Sequence, residues 1–133
     1  MKVLALICRI LLGAIFVFFG ANVVHPFLPM PPLPPAGTFL GDFDHAMMGS
    51  GWMTVVGVFQ VLGGLLVLIG GTVPLGLCIL CPLTVNILCA HVFLMGGKGI
   101  VPGLVTAVLE LVLIYAYRGS FAGVLSASQR PTA

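Results

Sequence analysis

The sequence predicts an all-α membrane protein, a four-transmembrane-helix up-down-up-down bundle with a proline-rich outer loop and a short interfacial helix. Three observations carry that prediction. Hydrophobic residues make up 60% of the 133 residues and charged residues only 6%, with a mean hydropathy of +1.26, whereas a water-soluble domain is about a quarter charged. Four apolar stretches, 3–24, 52–69, 73–95 and 100–117, match the roughly 17–25 residues that a helix needs to cross a hydrocarbon core of about 30 Å. The connections after the second and third stretches are short and rich in glycine, and loops that short make consecutive helices antiparallel neighbours.

In the first stretch Arg9 interrupts the apolar run and no small-x-small site precedes His25, so a retained span is expected rather than a cleaved leader. Gly13, Ala14, Gly20 and Ala21 here, and Gly57, Gly63 and Gly64 in the second stretch, read as packing positions. Small residues let helix backbones approach where lipid supplies no hydrophobic drive.

Residues 25–51 form the outer loop. Six of the ten residues from Pro26 to Pro35 are proline, and the others are Phe27, Leu28, Met30 and Leu33. Proline has no N–H, so such a strand carries few unsatisfied donors into a low-dielectric interface. In polyproline II those residues span about 31 Å, enough to cross the top of the bundle, and the four apolar side chains are expected to pack downward as a lid. Residues 37–48 set Phe39, Leu40, Phe43 and Met47 against Asp42, Asp44 and His45, a pattern that suits a short amphipathic helix lying in the interface.

Gly70, Gly71 and Pro74 mark the second connection, and Gly96, Gly97, Gly99 and Pro102 the third. Trp52, Tyr115 and Tyr117 fall at span ends, where interfacial aromatics belong. Residues 1–121 are therefore expected to form one membrane domain, with 122–133 a short tail of weak periodicity. Four spans place both termini on one side. Lys2, Arg9, Arg118 and Arg130 lie on that side against Lys98 alone on the other, so the positive-inside rule puts the termini in the cytoplasm.

Depth along the helices sorts the polar residues. Arg9 lies roughly 10 Å and Glu110 roughly 12 Å below the cytoplasmic surface at about 1.5 Å per residue. An ion alone in lipid costs several kcal/mol, so the two are expected to meet as a buried ion pair between the first and last helices. Asn22 and His91 near the outer face, Asn86 slightly deeper and Gln60 near the middle of the second span are expected to form a polar ligand-binding pocket beneath the loop. His25, Asp42, Asp44 and His45 stand nearby, but D-F-D-H follows no recognised metal-ligand spacing, and no metal is expected.

Cys78 and Cys81 form a C-x-x-C, the spacing of a redox dithiol. Their depth, close to a reducing cytoplasm, favours inert buried thiols, and they stand only as a possible redox pair. No catalytic residue emerges, since a Ser/His/Asp nucleophile set, a P-loop, a dinucleotide fingerprint and an H-E-x-x-H are absent from the sequence. With five basic residues, no nucleic-acid surface is expected.

R-I-L-L-G-A-I-F-V-F-F-G at 9–20, the run F-L-P-M-P-P-L-P-P, G-G-L-L-V-L-I-G at 63–70, P-L-T-V-N-I-L-C-A-H-V-F-L at 82–94 and L-E-L-V-L-I-Y-A-Y-R-G-S-F at 109–121 together resemble the DoxX family of small integral membrane proteins. The resemblance covers about residues 9–121. It implies a four-helix bundle in the bacterial inner membrane and a quinone-linked role, because the family takes its name from a membrane subunit of a thiosulfate:quinone oxidoreductase. Other relatives assist or assemble membrane partners. Arg9, Asn86, His91 and Glu110 match the family pattern, and the C-x-x-C does not belong to it.

The expected function is accordingly a non-catalytic accessory or subunit protein that binds a lipid-like or quinone ligand, or docks to a larger membrane complex. Its expected partners are membrane lipids and either further copies of itself or other subunits. An oxidoreductase subunit using His91 as proton acceptor, with Cys78 and Cys81, is the first rival. A small proton-coupled transporter using Glu110 or His91 is the second.

Overall fold

The computed structural model describes residues 2–29 and 31–122. Among these the chain is all-helical, without strands: α1 Lys2–Val24, α2 Phe39–Gly49, α3 Trp52–Ile69, α4 Val73–Phe93, α5 Val101–Ala116 and a short α6 Arg118–Phe121. Three of them, α1, α3 and α4, are long and apolar enough to cross a membrane. The fourth expected span is shorter than its apolar stretch. The helix α5 has 16 residues, about 24 Å at 1.5 Å per residue, and the chain bends after Tyr117 into α6. The third expected span, 73–95, ends as a helix at Phe93, where Leu94 caps it by donating its N–H to the Ala90 carbonyl.

Each long helix buries one stripe and leaves apolar residues on the opposite face. In α1 the stripe is Cys8, Leu12, Phe16 and Gly20, and in α3 it is Gly57, Gln60, Gly64 and Val67. These spacings of three and four keep residues on one helical face. Outside, Phe18, Phe19, Leu65, Ile69, Val85 and Leu111 are exposed, as suits helices with lipid rather than water around them.

The most extensive packing is between α1 and α3, and glycine makes their close approach possible. A β-carbon on Gly13 would lie 2.9 Å from the Gly64 carbonyl oxygen, and one on Gly64 would lie 2.9 Å from the Gly13 oxygen. Gly20 and Gly57 repeat the reciprocal contact at 2.9 Å each way. The second pair is one heptad further along α1 and one heptad back along α3, so these two helices run antiparallel. The helix α4 packs on α3 and α5, α1 also touches α5, and α2 leans on α3. At the α3–α4 connection Gly70 takes a positive φ of 87°, which costs a residue with a Cβ strain, and Thr72 Oγ1 donates to the Leu66 carbonyl at 2.6 Å.

The solid core sits toward one end. Cys8, Leu12 and Phe16 of α1 meet Val67 at the close of α3, Val73, Leu77 and Leu80 at the start of α4, and Leu113 near the close of α5. The other end, where α1 leaves and α3 begins, is roofed by the loop and is hollow.

Candidate functional site

The hollow is a cavity of about 500 Å³. The segment Pro31, Pro32, Leu33 and Pro34 lies along one side, and Leu40, Phe43, Asp44 and Met47 of α2 along another. The first half of α3 contributes Met53, Val56 and Gln60, and the second half of α4 contributes Leu83, Asn86, Ile87 and His91.

Three local devices hold the roof in place. Asn22 Oδ1 accepts from the backbone N–H groups of Phe27 (3.1 Å) and Leu28 (2.9 Å), turning the chain off the end of α1. Thr38 caps α2 by accepting from Gly41 N at 3.0 Å while its hydroxyl donates to the Pro35 carbonyl, and Asp42 Oδ1 accepts from Gly37 N at 2.8 Å. His45 Nε2 bonds the Pro34 carbonyl at 3.2 Å, fastening α2 to the proline segment. The roof is thus hydrogen-bonded to itself and to α1.

Only part of the expected lid faces the cavity. Leu33 lines it. Phe27 instead packs edge-on against Phe18 of α1, ring centroids 5.3 Å apart, because the Asn22 bonds pin its backbone beside that helix. Leu28 is largely exposed, and Met30 lies outside the described residues. Asn22 is likewise a hinge pin, and its amide oxygen is spent on the loop rather than turned to the cavity.

Gln60, Asn86 and His91 do converge on the cavity. His91 Nδ1–H donates to the Ile87 carbonyl at 2.8 Å, which leaves Nε2 as the acceptor nitrogen of the neutral ring. Gln60 is 7% exposed, its Cβ packed where Gly20 of α1 leaves room, and its Oε1 is buried with no hydrogen-bond partner among the described residues. A buried carbonyl left without a donor costs about 1–3 kcal/mol. The largely apolar wall therefore carries four polar residues, Asp44, Gln60, Asn86 and His91, with the Gln60 acceptor buried just behind its surface.

Two contributions escaped the sequence reading. Asp44, half-buried, lines the cavity; its placement among the apolar residues of α2 was the available signal. Met47, Met48, Met53 and Met95 also line it. Unbranched thioethers fill irregular space and adapt to flexible partners, but their convergence from α2, α3 and the α4–α5 turn has no local signature.

Comparison with family models, with curated proteins and with solved structures finds no match for this chain.

The expected ion pair does not form. Glu110 is 4% exposed and accepts a hydrogen bond from Thr84 Oγ1 at 2.7 Å, with the Cys81 thiol within hydrogen-bonding reach of the same carboxyl group. Arg9 turns away to the α3–α4 connection, where a β-carbon on Gly70 would lie 2.5 Å from its Nη1, and its Nε is buried without a partner among the described residues. An arginine in a helix leans toward the N-terminus, which carries the guanidinium toward the membrane surface and to the carbonyl-rich end of α3. The four cysteines are free: Cys8 buried, Cys81 half-buried, Cys78 and Cys89 exposed. Cys78 and Cys81 thus form no disulfide, and they stand apart from the cavity.

Proposed function

We propose that this chain is a multi-pass protein of the bacterial inner membrane, both termini cytoplasmic, whose four helices α1, α3, α4 and α5 form an up-down bundle around a site for a lipid-like ligand. Three long apolar helices, the reciprocal glycine contacts between α1 and α3, and the α4 contacts with both α3 and α5 support the bundle. The DoxX resemblance adds a quinone to the candidates, and an accessory or subunit role in place of catalysis.

The observation that carries the ligand reading is the orphaned Gln60 carbonyl in the wall of a cavity of about 500 Å³. That volume lies within the range of small-molecule sites, which are largely apolar with a few placed polar groups. A turn of the Gln60 side chain toward the cavity would let a hydroxyl of a lipid headgroup or of a reduced quinone supply the donor that Oε1 lacks. His91 Nε2 and the Asn86 amide offer a second anchor, and the methionines accommodate a flexible tail.

Purification in a mild detergent, followed by solvent extraction and mass spectrometry, tests this. A defined lipid or quinone is expected to copurify, with its occupancy lowered about fivefold or more in Gln60→Leu, as loss of a hydrogen bond of about 1 kcal/mol requires. Protein that carries no bound molecule, or equal occupancy in the variant, overturns the reading.

A further inference from the structure

At the end of the molecule opposite the cavity lies a second cleft, of about 560 Å³. Three cations line it: Lys2 and Arg9 from α1, and Arg118 from the start of α6. Tyr115 and Tyr117 complete its polar wall. No acidic side chain lines it, since the chain's three are Asp42 and Asp44 in α2 and Glu110, which bonds Thr84. The two arginines are held in place. Arg118 Nη1 donates to the Tyr115 carbonyl at 2.9 Å, and its guanidinium lies over the Tyr115 ring, 4.6 Å from the centroid. Arg9 is wedged against Gly70 with Nε buried and unpartnered among the described residues.

Like charges gathered in one cleft repel one another, and a buried guanidinium N–H without an acceptor adds a desolvation cost. An anion with several acceptor oxygens relieves the repulsion, and a shift of the Arg9 stem would bring its Nε–H to the same oxygens. Arginine forks match the tetrahedral geometry of phosphate, lysine adds a point charge, and tyrosine hydroxyls donate further bonds. We propose that this cleft binds a phosphate group, carried by an anionic phospholipid headgroup or free in solution. The site is separate from the cavity under the loop and stands whether or not that cavity holds a ligand.

The test uses the full chain with Lys2→Gln, Arg118→Gln and, as a control that removes the same charge elsewhere, Lys98→Gln. Thermal melting first establishes that each variant is folded; Arg9→Met serves as a further variant that keeps the packing of the stem. In nanodiscs of mixed phosphatidylglycerol and phosphatidylcholine, native mass spectrometry counts retained lipid. Enrichment of phosphatidylglycerol that falls about fivefold with each cleft charge removed, and is unchanged in Lys98→Gln, identifies a headgroup site. In dodecyl maltoside, which contains no phosphorus, phosphorus NMR follows added inorganic phosphate. Saturable binding lost in the same cleft variants, without lipid enrichment, identifies free phosphate as the ligand. Neither signal, or equal loss in Lys98→Gln, overturns the proposal.

Discussion

Thr84 Oγ1 donates a 2.7 Å hydrogen bond to Glu110 Oε1, tying α4 to α5 inside the protein. The Cys81 thiol of α4 lies within reach of the same carboxyl group, and no cation is among its partners. Interhelical hydrogen bonds in bundles of this kind contribute about 0.6–2 kcal/mol. Thr84→Val, which keeps shape and removes the donor, is expected to destabilise by that amount in thermal or dodecyl sulfate unfolding. Glu110→Gln keeps an acceptor for Thr84 and is expected to cost less than Thr84→Val. The reverse order would mean that the carboxyl group is held by something other than this bond.

Arg9 and Glu110 are expected to be energetically independent. In a double-mutant cycle of Arg9→Met and Glu110→Gln, the coupling should fall below about 0.5 kcal/mol, as for residues without shared partners. A coupling several times larger would restore the ion pair.

The surroundings of two glycines predict opposite outcomes for adding a side chain. Gly64→Val puts branched carbon against the Gly13 carbonyl, which is backbone and cannot swing aside, and overpacking of this kind costs roughly 1–3 kcal/mol or more. Gly49 closes α2 with nothing within 4 Å of a β-carbon, so Gly49→Ala is expected to stabilise by about 0.4–1 kcal/mol through the unfolded chain. Melting temperatures of the two variants read out both signs, and a neutral Gly64→Val would mean that α1 and α3 are not this close.

Gln60→Leu separates stability from binding. In protein stripped of ligand, removing the orphaned acceptor is expected to leave stability unchanged or raise it by about 1 kcal/mol, because an apolar group of similar shape carries no desolvation penalty. The same substitution lowers ligand occupancy. Destabilisation of the stripped protein by Gln60→Leu would show that Oε1 has a protein partner.

Much of the architecture was legible before any coordinates. The bounds of Trp52–Ile69 coincide with its apolar stretch, because Gly51 and Gly70 flank it and a continuous apolar run has only one low-energy form when its backbone must satisfy itself. The α2 prediction over 37–48 is close to Phe39–Gly49, since Thr38 is a strong N-cap and the apolar spacing is helical. Three of the four expected pocket residues share the cavity, because Gln60, Asn86 and His91 all lie toward the end of the helices where the loop crosses. Asn22 lies at that end too, but its amide is drawn into the nearest unsatisfied backbone donors.

What the sequence by itself determined was position along the helix axes: hydropathy marks where a helix begins and ends, and a fixed rise per residue converts numbering into depth. What only the tertiary structure decided was rotation about those axes. Depth brought Arg9 and Glu110 to one level, but rotation about the helix axes gives Glu110 to Thr84 and Cys81 and leaves Arg9 to Gly70 and the cationic cleft. Each residue turns a helix by about 100°, as 3.6 residues per turn require, so which side chains face one another depends on how all the helices pack together, through close contacts such as Gly13 with Gly64 that no single stretch of sequence contains.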